Sequence, residues 1–63
     1  MKINLAQIRQ EKQLTTRQLA KLSGVSHAQI TQIENGNSNP TISTMCKLAK
    51  ALNVKITELF ICD

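Results

Sequence analysis

Apolar side chains recur along the chain at intervals of three and four residues, in short groups separated by polar turns. Because a helix repeats about every 3.6 residues, this spacing places each group on one side of a helix. No segment alternates between apolar and polar residues over more than a few positions, so strand signals are absent. The pattern predicts an all-α fold of five helices, at about residues 4–13, 16–23, 26–35, 41–52 and 54–60.

Start and stop signals define the second and third helices. Thr15 and Gln18 have the spacing of a capping box, in which the hydroxyl accepts from the amide three residues on and the glutamine side chain reaches back. Ser26 and Gln29 repeat this spacing, and Gly24 between them suits the left-handed residue that commonly ends a helix. Two short helices joined by a glycine-bearing turn form a helix-turn-helix pattern.

The apolar positions of these helices predict a single core. Asn35-Gly36 and Asn53 are expected to end the third and fourth helices, because these residue types accept positive φ. Residues 1–63 form one domain, and a chain this short leaves little room for an enclosed catalytic cavity. The predicted core residues are Leu5, Ile8, Leu14, Leu19, Ala20, Leu22, Val25, Ile30, Ile33, Ile42, Met45, Leu48, Ala49, Leu52, Val54, Ile56, Leu59 and Phe60.

The charge balance favours a polyanionic partner. Eight lysines and arginines against four aspartates and glutamates give a net charge of +4 and a pI near 9.5. Nucleic acid is such a partner, although charge alone does not name it. We expect a cytoplasmic protein without a membrane partner, because the sequence has no apolar run of about 18 residues and no secretory signal.

Enzymatic and metal chemistry have little support. Cys46 and Cys62 form no CxxC pair, and His27 lies far from both in sequence, so we expect no metal site and two reduced, structural cysteines. One histidine and four carboxylates do not supply a nucleophile, a base and an orienting group. We therefore expect no enzyme activity, no cofactor and no small-molecule ligand.

The third predicted helix has one apolar and one polar side. At about 100° per residue, Ile30 and Ile33 point inward. The opposite face is nearly uncharged and suits a DNA major groove, where glutamine pairs with adenine and methyl groups meet the thymine methyl. An ordinary solvated helix face has the same composition, so both interpretations stand on these residues alone. The face consists of His27, Ala28, Thr31, Gln32 and Asn35.

Two long segments resemble the phage-repressor and Cro family of helix-turn-helix transcriptional regulators, the XRE type. They are IRQEKQLTTRQLAKLSGVSHAQITQIENG, residues 8–36, and NPTISTMCKLAKALNVKITELF, residues 39–60. The QLAKLSGVS core, the IENG ending, the NP pair and the KALNV turn fall at the family's spacings. The resemblance implies a compact five-helix lambda-repressor-like domain. It also implies sequence-specific binding of double-stranded DNA through helix 26–35, as a homodimer on a two-fold operator, with repression as the expected outcome.

Residue roles follow from the resemblance position by position. It implies base reading by His27, Ala28 and Gln32, with Thr31 as a weaker candidate on the same face. Arg9 and Glu34 match a structural ion pair between the first helix and the end of the third. The residues expected to contact phosphate are Thr16, Arg17, Ser26, Asn35, Asn37 and Ser38. Of these, Arg17 is basic, and the loop residues Asn37 and Ser38 are neutral where the family often has Lys or Arg.

Several positions depart from the family or keep two interpretations. Thr16 stands where glutamine is common, and Lys55 stands where a serine usually caps the last helix. Lys47 and Lys50 fall on the outward face of helix four and fit a solvated surface better than a DNA contact. Residues 60–62 either cap the core or join a dimer surface. The rival function is a protein-interaction module that uses the same bundle to hold a toxin, a kinase or another regulator.

Overall fold

The computed structural model describes residues 2–62, which form five helices and a short two-stranded ribbon. All five predicted helices are present, which confirms a mainly helical fold. Its longest dimension is 29 Å. The elements in chain order are β1 (Lys2–Ile3), α1 (Leu5–Glu11), α2 (Thr16–Ser23), α3 (His27–Glu34), α4 (Ile42–Leu52), α5 (Ile56–Leu59) and β2 (Phe60–Ile61).

The core lies between the helices and consists of apolar side chains. α2 packs against both α3 and α4, α1 contacts α3, and α5 contacts α4. Each fully buried leucine or isoleucine contributes roughly 1.5–3 kcal/mol through removal of apolar surface from water. This burial fixes which side of α3 faces outward. The buried residues are Leu5, Leu19, Val25, Ile30, Ile33, Leu48, Ala49, Leu52, Leu59 and Phe60.

Two residues predicted for the core are exposed instead. Leu22 is 61% exposed, because the less exposed stripe of α2 runs through Leu19, Ala20 and Ser23 and leaves Leu22 on another side. Ile42 is 72% exposed because it is the first residue of α4, whose buried side chains begin only at Leu48. The apolar spacing placed both residues near the buried stripe, but tertiary packing leaves them outside it.

The ribbon corrects the expectation that strands are absent. β1 pairs with β2 in antiparallel fashion, with Lys2 opposite Ile61 and Ile3 opposite Phe60. Two-residue strands are too short to show period-two alternation, and their partners lie at opposite ends of the sequence. The fifth helix consequently ends at Leu59, because the next residue turns extended and enters the strand.

Residues 2–4 and 59–61 are joined by this ribbon and by Asn4, whose backbone N–H donates to the Leu59 carbonyl at 2.8 Å. Phe60 is buried in the core, whereas Ile61 is 40% exposed and Cys62 is exposed. Of the two interpretations for residues 60–62, core capping therefore applies to Phe60 alone. Cys62 is an exposed free thiol, and Cys46 is a half-buried one.

The ends of α2 follow the predicted signals. Thr15 Oγ1 accepts from the Gln18 amide at 3.1 Å, and Gln18 Oε1 accepts from the Thr15 amide at 2.8 Å. This reciprocal pair is the predicted capping box. Gly24 ends the helix with a φ of 75°, in the left-handed region that glycine enters without steric cost.

The other helix ends agree only in part. α4 ends as predicted at Asn53, which has a φ of 57°. α3 ends as predicted at the Asn35-Gly36 pair, although only Gly36 adopts positive φ, at 76°, and Asn35 keeps a φ of −84°. α1 stops at Glu11, two residues earlier than predicted, since Gln13 takes a φ of 59° and leaves the helix. Lys55 precedes α5 without a side-chain cap.

No helix between residues 2 and 62 has the length and apolar character needed to cross a membrane. Within the same range, no group of three or more His, Cys, Asp or Glu side chains is arranged to hold a metal ion.

Candidate nucleic-acid interface

α3 is held by its apolar side and presents its polar side outward. Val25 in the preceding turn is 5% exposed, and Ile30 and Ile33 are almost completely buried. Ser26 Oγ accepts from the Gln29 amide at 3.1 Å and fixes where the helix begins. The orientation of α3 is therefore set by residues on its inner side and at its start, and its outer face remains exposed.

The outer face of α3 is polar and has no lysine, arginine, aspartate or glutamate. His27, Ala28, Gln32 and Asn35 are all exposed, as the sequence predicted for a face turned away from the core. Thr31 differs, because it is half-buried and its hydroxyl donates to the His27 carbonyl at 3.0 Å. The hydroxyl proton of Thr31 is thus committed to the helix itself, and this residue offers a partner mainly its methyl group.

One arginine connects the end of α3 to the start of α2. Arg9 Nε donates to Glu34 Oε2 at 2.8 Å, and Arg9 Nη2 donates to Glu34 Oε1 at 3.3 Å. Arg9 Nη1 donates to the Leu14 carbonyl at 2.8 Å. The two side chains are only 14% and 11% exposed, so water screens the pair weakly. We call Arg9, Glu34 and the Leu14 carbonyl the arginine clamp.

The arginine clamp ties the segment before α2 to the last residue of α3. The Leu14 carbonyl lies just before α2, and Glu34 is the last residue of α3. Because one guanidinium bonds to both, the start of α2 and the end of α3 lie within its span. Thr16 opens α2 two residues after Leu14, and Asn35 directly follows Glu34, so each of them comes shortly after a group that Arg9 binds. Ser26 lies at the opposite end of α3.

The remaining phosphate candidates differ in how far they are exposed. Arg17 and Asn37 are exposed, whereas Thr16 and Ser38 are half-buried. The Asn37 amide donates to the Gln32 carbonyl at 2.9 Å, which closes the end of α3 and leaves the Asn37 side chain outside. Ser26 uses its oxygen as an acceptor within the helix cap, so its hydroxyl proton stays available to a phosphate oxygen.

Two features of this region escaped prediction. The sequence predicted a reciprocal cap between Ser26 and Gln29, but only the hydroxyl-to-amide half forms; the Gln29 side chain makes no hydrogen bond within residues 2–62. The contact between Arg9 and the Leu14 carbonyl was also missed. A backbone acceptor carries no residue-type signal, so the sequence offers nothing that would reveal it.

Two short helices joined at Gly24, with the second helix fixed by its apolar side and open on its polar side, define a helix-turn-helix protein. The helix-turn-helix family model HTH_3 matches residues 5–59, and the chain belongs to this family. This membership confirms the resemblance seen in the sequence. The family consists of transcriptional regulators and not of enzymes.

Named relatives and a solved structure agree with this assignment. The HTH-type transcriptional regulator PuuR of Escherichia coli is 41% identical over 56 residues, which cover 89% of this chain and 30% of PuuR. The HTH-type transcriptional repressor RghR of Bacillus subtilis is 49% identical over 51 residues, covering 79% of this chain and 38% of RghR. The chain therefore spans about a third of the length of these two relatives.

The fold matches a solved structure over nearly its whole length. The restriction-modification controller protein C.AhdI from Aeromonas hydrophila superposes with a TM-score of 0.87 and 35% sequence identity, covering 90% of this chain and 86% of C.AhdI. The architecture is thus the lambda-repressor and Cro type that the sequence predicted.

Proposed function

We propose that residues 1–63 act as one sequence-specific DNA-binding domain of a cytoplasmic transcriptional regulator, with α3 placed in the major groove of double-stranded DNA. The observation that carries this proposal is the exposed, uncharged polar face of α3, held outward by Ile30 and Ile33. A helix of this kind fits the major groove, where each base pair presents a distinct pattern of donors and acceptors.

Base reading is assigned to His27, Ala28, Thr31 and Gln32. The Gln32 carboxamide is exposed and can both donate to and accept from the adenine edge. His27 can donate or accept, and the methyl groups of Ala28 and Thr31 can contact a thymine methyl. The bond from the Thr31 hydroxyl to its own helix supports a methyl contact in preference to a hydrogen bond.

Phosphate contacts position this face without specifying sequence. Thr16 and Arg17 at the start of α2 and Asn35 after α3 are proposed as one group, which is supported by the Arg9 bonds to the Leu14 carbonyl before α2 and to Glu34 at the end of α3. Asn37 and Ser38 extend this group along the loop after α3, and Ser26 supplies a contact at the other end of the helix. Most of these groups are neutral, so the proposed grip on the backbone depends chiefly on hydrogen bonds.

We further propose a homodimer on a two-fold operator, acting as a repressor. A dimer lets two recognition helices enter major-groove faces about 34 Å apart, which doubles the base contacts of one small domain. Repression is supported by the name of RghR, a transcriptional repressor 49% identical to this chain over 51 residues.

A binding titration with Gln32→Ala tests this function. Fluorescence anisotropy is measured on DNA duplexes from the region upstream of the gene that encodes this chain and on duplexes of scrambled sequence. A titration at stoichiometric concentrations counts the protein chains bound per DNA site. We expect the wild type to bind two chains per specific site. Gln32→Ala should lose sequence preference by roughly 5- to 100-fold while it keeps non-specific binding.

The matched control is Gln7→Ala, which removes an exposed glutamine from α1 that bonds to Glu11 instead of facing a partner. It should leave both affinities unchanged. If Gln32→Ala binds all duplexes as the wild type does, base reading by α3 is wrong and the protein-interaction module becomes the better hypothesis.

A further inference from the structure

Gln29 is the one predicted capping residue whose side chain stays free. In α2, the Gln18 carboxamide accepts from the Thr15 amide at 2.8 Å and completes its capping box. In α3, Ser26 accepts from the Gln29 amide at 3.1 Å, but the Gln29 carboxamide has no hydrogen-bond partner among residues 2–62. Among residues 2–62, the same sequence signature therefore engages the carboxamide oxygen of Gln18 on α2 and leaves the whole carboxamide of Gln29 on α3 without a hydrogen bond.

The position of Gln29 places this free group beside the principal base-reading residue. At about 100° per residue, Gln29 lies about 60° around the helix from Gln32, whereas His27 lies about 140° from it. Side chains three residues apart on a helix have Cβ atoms about 5–6 Å apart. Gln29 and Gln32 thus present two exposed carboxamides on successive turns of one helix flank.

Its place along the helix also favours contact with DNA. Recognition helices contact base edges mainly through their N-terminal residues, and Gln29 is the third residue of α3. Thr31, by comparison, is half-buried and donates its hydroxyl proton to the His27 carbonyl. Of these two residues, Gln29 has the polar group that is available to a base.

We propose that Gln29 is a further specificity-determining residue, which reads the base pair next to the one read by Gln32. This inference rests on the proposed function, since it requires α3 in the major groove. A carboxamide donates and accepts at once and matches the adenine edge, where N6 donates and N7 accepts. Two glutamines on successive turns then specify adjacent adenine-containing pairs in each half-site.

Selection from a random DNA pool tests the proposal with the wild type, Gln29→Ala, Gln29→Glu and Gln32→Ala, and Gln7→Ala serves as the control. Gln29→Ala should relax preference at one base-pair position per half-site by roughly 5- to 100-fold, next to the position relaxed by Gln32→Ala. Gln29→Glu should shift that position from adenine towards cytosine, because a carboxylate accepts from the cytosine amino group.

The outcomes separate this inference from the proposed function. If Gln32→Ala relaxes a position and neither Gln29 variant changes any position, Gln29 reads no base and the inference is overturned. A uniform loss of affinity in Gln29→Ala without a change in preference also overturns it, since that pattern marks a phosphate contact. If the wild type selects no sequence at all, the proposed function itself fails.

Discussion

At the scale of single residues, the arginine clamp is the most consequential polar contact in the protein. Every buried side-chain nitrogen and oxygen within residues 2–62 has a hydrogen-bond partner, and Arg9 supplies three of these bonds. A charged pair this poorly exposed adds little net stability, because the attraction between the charges roughly cancels the free-energy cost of removing them from water. Removing one partner is different, since the other charge stays where water cannot fully reach it.

Glu34→Ala should lower the free energy of unfolding by about 3 kcal/mol. Arg9 would keep its bond to the Leu14 carbonyl but lose its countercharge at 14% exposure. Urea unfolding followed by circular dichroism measures the change. Glu11→Ala, which removes an exposed carboxylate from α1, is the control and should change stability by no more than about 0.5 kcal/mol. Equal losses in the two variants would show that the clamp contributes nothing beyond surface charge.

At the scale of elements, the sequence predicted helix ends wherever a residue type carries a backbone preference. Gly24 and Asn53 were predicted because glycine and asparagine tolerate positive φ, and Thr15 because its hydroxyl accepts a backbone amide. Gln13 was not predicted, since glutamine has no such preference and its φ of 59° is imposed by the turn into α2. The ribbon was missed for a related reason: pairing between residues 2–3 and 60–61 is a tertiary event with no local signal.

The strained Gln13, just after α1, and Gln10 within α1 give predictions of opposite sign for the same substitution. Gln13→Gly should raise the free energy of unfolding by about 0.5–1 kcal/mol, because glycine relieves the positive φ. The same substitution in the last turn of α1, Gln10→Gly, should lower it by about 0.5 kcal/mol, because glycine adds conformational entropy to the unfolded chain and relieves no strain at this helical position. Thermal unfolding compares them. Destabilisation by Gln13→Gly would mean that this side chain makes a contact worth more than its strain.

Gly24 supplies the complementary case in the turn between α2 and α3. A Cβ at this position would meet no atom within 4 Å, so the cost of Gly24→Ala is purely conformational at a φ of 75°. We expect a loss of about 1 kcal/mol in urea unfolding, and a smaller loss for Gly24→Asn, because asparagine tolerates the left-handed region. Equal losses for the two variants would contradict this account.

At the scale of the whole molecule, the candidate DNA-binding face of α3 is defined by which residues are buried in the core and which are exposed, and the sequence largely predicted this division. The polar face of α3 was predicted because the buried positions Ile30 and Ile33 fix the helix rotation. The sequence did not predict that the Gln29 side chain makes no hydrogen bond within residues 2–62, or that the Thr31 hydroxyl donates to the His27 carbonyl. Both outcomes depend on which of two available hydrogen bonds a side chain makes. Charge adds a separate constraint, since α3 has no basic residue and Glu34 is neutralised by Arg9.

This charge distribution predicts a shallow salt dependence of DNA binding. Arg9 is paired with Glu34, and Lys47 and Lys50 fit a solvated face. The basic side chains that we expect near DNA are therefore Lys2, Lys12, Arg17 and Lys21. We expect about 2–4 phosphate contacts per subunit, each adding about −0.9 to the slope of log affinity against log salt concentration.

Anisotropy titrations across a series of salt concentrations measure that slope on the selected operator. Arg17→Gln should reduce its magnitude by about 2 in a dimer, one contact in each subunit, whereas Lys50→Gln on α4 should leave it unchanged. A magnitude near 10 for the dimer, or an equal reduction by Lys50→Gln, would show that the lysines of α4 also contact DNA. Affinity would then depend more on general attraction to phosphate than on the fit of α3.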